Sequence, residues 1–182
     1  MGCNARMNAH RPLLVALSDL PGTGKTTLAR ALAARLGAVF LRIDSIETAL
    51  ARSALRIRPA EDAGYVVAYA LAEDNLRGGL PVVADGVNPI ALTRDAFAEI
   101  ARRTGVPLVV IETVCTDAGE HERRIEARRP DLEGQRLPSW EDVLAREWEP
   151  LACERLVVDT GTLSEEEALA RALAYVRSVA AA

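Results

Sequence analysis

The chain has 182 residues, 49% of them apolar, which is enough to bury the core of one ordinary domain. Its 26 acidic and 22 basic residues leave a net charge of −4, which argues against a general nucleic-acid binder. No apolar stretch approaches the ~20 residues that cross a bilayer, Met1 to Arg11 lacks the apolar centre of a signal peptide, and Cys3, Cys115 and Cys153 show neither a paired framework nor metal-type spacing, so a reducing cytoplasm is expected.

Pro12 to Leu17 is a short apolar run of the kind that forms a strand buried on both faces. It leads into Pro21-Gly22-Thr23-Gly24-Lys25-Thr26-Thr27, where Lys25 is the single lysine of the chain; every other basic residue is arginine. An ammonium is a compact point charge on a flexible stem and can follow a phosphoryl group in transfer, whereas guanidinium is a wide planar fork. The phosphate-loop pattern is Gly, four residues, then Gly-Lys-Ser/Thr. Gly24, Lys25 and Thr26 fill its last three places, and Asp19 stands where the first glycine belongs. Asp enters glycine-like backbone conformations more readily than most residues, so the cradle is expected to survive with Asp19 pointing outward. Its charge is expected to weaken the grip on a triphosphate. Thr26 to Leu36 reads as a helix closed by Gly37. Strand, loop and helix in this order aim free N–H groups and a positive helix end at phosphates, with the Thr26 hydroxyl as a ligand of Mg2+.

Ala38 to Ile43 is the second predicted strand, followed by a helix from about Ser45 to Leu55. Asp44 lies between them, with Glu47 three residues on, so Asp44 is read both as a catalytic carboxylate and as a helix cap. A further helix runs from about Glu61 to Arg77 and ends at Gly78-Gly79; its Tyr65 and Tyr69 sit one turn apart, as core residues or as a stacking surface for an acceptor. Leu80 to Ala84 is the third strand, and it ends in Asp85, read as the carboxylate that holds the metal's waters or as a turn residue before Gly86. Asn88, Pro89 to Thr104 and Gly105 read as cap, helix and stop; Asn88 and Arg94 are candidate acceptor contacts.

Val106 to Val114 is the fourth strand and Asp117 to Arg129 the next helix, with Asp117 and Glu120 in capping-box spacing. This helix carries Arg123, Arg124, Arg128 and Arg129, with His121, Arg124 and Arg128 on one face. The arginines are read either as a lid that clamps phosphoryl charge or as a solvated face paired with Glu122 and Glu126. Pro130 to Pro138 is a polar loop that includes Arg136, and a short helix runs from Ser139 to near Pro150. Arg155 to Val158 is the fifth strand. The turn Asp159-Thr160-Gly161 is a candidate contact for the nucleotide base, and Ser164 with Glu167 opens the last helix with a capping box. The alternation predicts an α/β three-layer sandwich on a five-stranded parallel sheet, with ligands at the strands' carboxyl ends.

In this order the motifs resemble the small single-domain P-loop kinases, a group that includes gluconate kinases, chloramphenicol phosphotransferase and zeta-toxin-like kinases and is also grouped with AAA-type ATPases. Leu20 to Ala29 looks like their phosphate loop, Arg42-Ile43-Asp44-Ser45 like the segment with their acceptor-facing aspartate, and Cys115 to Arg128 with Leu137 to Val143 like a lid region. The likeness spans Leu13 to about Val176 and implies a P-loop NTPase fold of the nucleotide/shikimate-kinase type, one domain over 1–182, and a lid at about 117–140. It implies ATP and Mg2+ as cofactors. Catalysis is then expected from Lys25, Asp44, Arg124 and Arg128, and metal binding from Thr26 and Asp85. Nucleotide binding is expected from Pro21, Gly22, Thr23, Gly24, Lys25, Thr26, Thr27, Arg124, Asp159 and Thr160.

The activity expected is transfer of the γ-phosphoryl of MgATP to a hydroxyl of a small molecule, whose identity the sequence does not name. A nucleotide-dependent regulatory module with slow ATPase activity is the alternative, and a polynucleotide-end kinase the third; the acidic balance argues against the latter. No membrane contact is expected, and oligomeric state is not legible.

Overall fold

Short Val-, Leu- and Ala-rich runs form the middle layer because their side chains are apolar on both faces of the pleat. The computed structural model describes residues 11–181, so Cys3 and the Met1 to Arg11 segment, apart from Arg11, lie outside the described residues. In chain order the elements are β1 (Leu14–Ser18), α1 (Lys25–Leu36), β2 (Val39–Arg42), α2 (Ile43–Arg52), α3 (Ala63–Arg77), β3 (Val82–Asp85), α4 (Ala91–Thr104), β4 (Leu108–Val114), α5 (Ala118–Ala127), α6 (Trp140–Leu144), β5 (Leu156–Asp159) and α7 (Glu165–Ala181).

The five strands pair in parallel in the order β2-β3-β1-β4-β5. Alternation along β1 divides the core. Leu13, Val15 and Leu17 pack with Leu28, Leu32 and Val176 under α1 and α7. Leu14 and Ala16 pack with Leu76, Phe97 and Ile100 under α3 and α4. The expected three-layer architecture is therefore present. Because β1 is central, with β3 on one side and β4 on the other, its carboxyl end opens at the switch point of the sheet, where ligands of such sheets bind.

Local signals placed most helix ends. Gly37 and Gly105 close α1 and α4 in left-handed conformations. Asp117 accepts from the Glu120 N–H, and Ser139 with Asp142 forms a full capping box. Ser164 and Glu167 bond reciprocally at the start of α7.

Three cap readings are corrected. Asp44 is not a cap: β2 runs directly into α2, so the N-cap position is Arg42 and Asp44 already lies in the first turn. Asn88 is not a cap either, because its amide Nδ2 is buried and donates to the Leu17 carbonyl at 2.8 Å. The free Ala91 N–H of α4 is satisfied instead by Glu149 at 2.6 Å. Glu120 makes no reciprocal bond to Asp117, since both its oxygens go to Arg123 and Arg124. That pairing also replaces the one expected from Glu122 and Glu126. No helix among the described residues is long and apolar enough to cross a membrane.

Candidate active site at the phosphate loop

The loop between β1 and α1 is held from behind before any ligand arrives. Gly22 has φ +86, and a Cβ there would lie 2.7 Å from Ile125 Cδ1, so only glycine allows α5 to press this closely on the loop. His121, also on α5, donates from Nε2 to the Pro21 carbonyl at 2.7 Å, and Trp140 stands edge-on to its ring. The Thr23 hydroxyl meets Leu20 O and Thr113 Oγ1.

Lys25 is 7% exposed, and its Nζ donates to Leu20 O at 2.5 Å. Burial pulls its pKa down, opposed by the carboxylates of Asp85, Asp19 and Asp44. The ammonium is therefore largely desolvated and engaged with a loop carbonyl.

Asp19 departs from its expected orientation. It is 7% exposed and turned inward, with φ +144, and its Oδ1 accepts from the Leu20 N–H at 2.6 Å. The glycine this loop pattern calls for would adopt that φ without strain. Burial lifts the carboxyl pKa to about 6, helped by Glu112 and opposed by the Leu20 N–H and Lys25. Its value in the folded protein lies above the 3.8 of a free aspartate, so the native state holds this proton more tightly. The penalty is absent below about pH 4, grows as pH rises towards 6, and then levels off at about 3 kcal/mol by the usual 1.36 kcal/mol per pKa unit. Asp19→Gly should therefore stabilise the protein by roughly 1–3 kcal/mol at pH 7 through relief of strain and desolvation, and by less at pH 4.5. MgATP affinity should hold or rise. Urea melts at the two pH values, with calorimetry at pH 7, check this; a less stable or weaker-binding variant would show that Asp19 supports the loop.

Asp85 ends β3, beside Arg42 in register, and is 3% exposed. Burial raises its pKa, opposed first by Lys25 and then by a hydrogen bond from Thr26. Its Oδ2 is buried without a protein partner. An orphaned carboxylate oxygen next to a hydroxyl is a hard-oxygen donor set that fits Mg2+. Among the described residues no group of three or more His, Cys, Asp or Glu forms a metal cage. That suits an ion that keeps several waters and takes phosphate oxygens.

Above the loop lies a cleft of about 1710 Å³, more than the ~300–1,000 Å³ typical of one small-molecule site. Pro21, Gly22, Gly24, Lys25, Thr26 and Thr27 of the loop line it. Asp44, Glu47 and Tyr65 line it as well, and Asp85, Arg124, Arg128 and Thr160 also face the space. Thr23, Asp159, Asn88 and Arg94 do not. Asp159 instead fastens its turn, accepting from the Thr116 N–H and hydroxyl and from the Gly161 N–H. Arg94 donates to the Glu149 carbonyl. Tyr69 is core, packed edge-on against Phe97, whereas Tyr65 walls the cleft and accepts from the Asn88 N–H.

The arginine cluster separates. Arg124 pairs with Glu120 and donates to the Thr160 hydroxyl and carbonyl, tying α5 to the turn after β5. Arg128 lies past the end of α5, so it leaves the helix face it was expected to share and sits 3.7 Å from Asp44. Asp44 Oδ2 also accepts from Gln135 at 3.2 Å and lies 3.3 Å from Arg42.

Arg42 and Glu47 were missed as site residues. The Arg42 side chain is 3% exposed and forks onto both oxygens of Asp131, at 2.6 and 3.0 Å. Arg52 pairs with Glu133. The 131–135 segment is thereby drawn across α2 beside Asp44. A charged residue ending an apolar strand was the available signal, since a buried guanidinium requires a partner. Glu47 packs so tightly on α3 that a Cβ at Gly64 would approach its Cγ to 2.5 Å. Burial, and Asp44 after it, raises the Glu47 pKa, with Arg146 opposing.

Residues 14–149 match the family described as AAA domain, and the chain belongs to that family. Among solved structures it is similar to a gluconokinase from Sinorhizobium meliloti 1021 (20% identity, 93% of this chain and 94% of that one, TM-score 0.67). It is also similar to the APS kinase CysC of Mycobacterium tuberculosis in complex with AMPPNP and APS (15%, 92% and 98%, TM-score 0.70). A third is Kti12 of Chaetomium thermophilum in complex with ADP-AlF3 (21%, 93% and 100%, TM-score 0.71). At these identities the likeness shows the fold, which is that of P-loop kinases. No curated protein matches the sequence significantly.

Proposed function

We propose that the protein is an ATP-dependent phosphotransferase that moves the γ-phosphoryl of MgATP to a hydroxyl of a small molecule. The observation that carries this is one cleft, larger than a single small-molecule site, that joins the phosphate-loop groups to the carboxylates of Asp44 and Glu47. A hydrolase that uses water alone has no need of that added space.

In this scheme the Pro21 to Thr27 loop cradles the triphosphate with its N–H groups, and Lys25 exchanges Leu20 O for phosphate oxygens. Thr26 and Asp85 would hold Mg2+, which when bound neutralises phosphate charge. The acceptor hydroxyl oxygen bonds to the γ-phosphorus as the bond to the ADP oxygen breaks. Asp44 orients that hydroxyl and takes its proton late, so an ordinary carboxylate is basic enough for a loose transition state. Arg128 sits next to Asp44 and is placed to meet the transferring charge, while Arg124 holds the nucleotide-side wall. Residues 117–140 are read as the lid of a single kinase-like unit.

The buried Asp19 carboxylate favours a second scheme, a slow ATPase or nucleotide-responsive module, because a negative charge within the phosphate loop would oppose that of a bound triphosphate. A panel of hydroxylated metabolites and antibiotics, assayed for ADP release above background with Lys25→Ala as control, separates the two. Acceptor-stimulated release is expected; release that no acceptor changes would favour the second scheme.

A further inference from the structure

Most arginines of this fold are matched by a neighbouring carboxylate. Of the arginines without an ion-pair partner among the described residues, Arg58, Arg129, Arg136 and Arg146 line the cleft, while Arg11, Arg35, Arg56, Arg171 and Arg177 lie elsewhere. The same cleft is lined by Asp44, Glu47 and Asp85, so the local arrangement of these arginines decides what they can hold.

Two of the four converge. Arg136, in the loop before α6, and Arg146, just after α6, also wall an adjoining recess of about 430 Å³. The other charged residue of that recess is Asp142, and its Oδ2 is occupied by the Ser139 N–H in the capping box. Leu137 and Pro138 give the recess an apolar side, which strengthens any charge–charge contact made there. Arg146 lines the same cleft as Glu47 and Tyr65, and its charge opposes the burial that raises the Glu47 pKa.

We propose that Arg136 and Arg146 form an anion-binding fork within the acceptor space, so that the acceptor is a small hydroxyl compound bearing a carboxylate or a phosphate ester. This rests on the phosphotransferase reading for the word acceptor, but the anion site itself does not. Guanidinium groups bind both oxyanions through paired N–H donors. With its anionic group held by these two arginines, the acceptor can present a hydroxyl towards Asp44 and the phosphate loop. A neutral polyol or aromatic alcohol offers no oxyanion for the two guanidiniums to share.

The first test removes nucleotide from the question. Inorganic phosphate is titrated by calorimetry or NMR into the full-length Lys25→Ala protein, whose phosphate loop lacks its ammonium, and into the same protein with Arg136→Gln and Arg146→Gln added. Loss of two charge-assisted contacts should weaken phosphate binding by ~10–100-fold. Both side chains are exposed, so melting temperatures should match. Equal phosphate affinity with and without the two arginines, or no binding in either, would overturn the proposal.

The second test uses turnover with gluconate, glycerol 3-phosphate and glycerol, which separates carboxylate, phosphate-ester and neutral acceptors. One anionic class should be preferred, and Arg146→Gln should raise its KM ~10-fold or more while kcat and the KM for MgATP change little. Preference for glycerol, or an unchanged KM, would count against the fork. Failure of the phosphotransferase reading looks different: no acceptor stimulates ADP release, while the phosphate titration still responds to the two arginines.

Discussion

Lys25→Ala should reduce phosphoryl transfer to background while the protein remains folded. The expected loss is at least the ~10²–10³ in kcat seen when a single preorganised group facing transition-state charge is removed. Lys25 begins α1 and its Nζ already lies on Leu20 O within the loop, so substrate phosphate needs only to take that carbonyl's place. Lys25→Arg should also be poor, because a planar fork does not fit a space shaped by Leu20 O and Thr23 Oγ1 around one ammonium.

The fold should tolerate the loss for a reason that burial supplies. The ammonium is itself desolvated, so its removal deletes a buried charge at the same time as it deprives Asp85 and Asp19 of their nearest opposing one. Both carboxyl pKa values should rise further, which neutralises the site rather than leaving naked charge. Circular dichroism melts and acceptor-dependent ADP release, measured on one preparation, check both halves. Wild-type turnover in Lys25→Ala would remove the phosphate loop from the mechanism.

What could be read from the sequence was what neighbours in the chain decide. The unbroken apolar run from Pro12 to Leu17 marked a strand buried on both faces, and the stops at Gly37 and Gly105 and the caps at Asp117, Ser139 and Ser164 depend on three or four adjacent residues. The phosphate loop and the carboxylates at strand ends were legible for the same reason. What failed were statements about where a polar side chain turns. Asp19 was expected to face outward, yet it bonds the next N–H beneath the loop. Asp44 and Asn88 have good capping chemistry, but each has a partner far along the chain, Gln135 and Leu17 respectively. For the Arg42–Asp131 pair, 89 residues apart, the charge ending an apolar strand signals that Arg42 needs a partner, but nothing local says that the partner is Asp131. Burial creates the demand for a partner, and burial is known only once the chain has folded.

The sharpest division of labour lies between Asp44 and Asp85. Asp44→Asn is expected to lower acceptor-dependent transfer by roughly 10²–10⁴, the range for a positioned acid–base group, and to leave MgATP affinity nearly intact. The structure sets up this contrast: Asp44 is 41% exposed, beside Gln135, whereas Asp85 is 3% exposed with a hydrogen bond from Thr26 and a partnerless Oδ2. Asparagine at position 44 keeps one oxygen for Gln135 and Arg42, and Asp44 fills no capping position, so a lost helix end cannot imitate the result. Asp85→Asn should act on the other substrate. It should shift the Mg2+ concentration needed for nucleotide binding, measured without any acceptor, and shift turnover in parallel. Glu47 provides the remaining control, because it lines the same cleft with a raised pKa. If Asp44→Asn keeps full transfer and Glu47→Gln abolishes it, the proton acceptor is one turn further along α2, and Asp44 serves to fasten Gln135 over the bound pair.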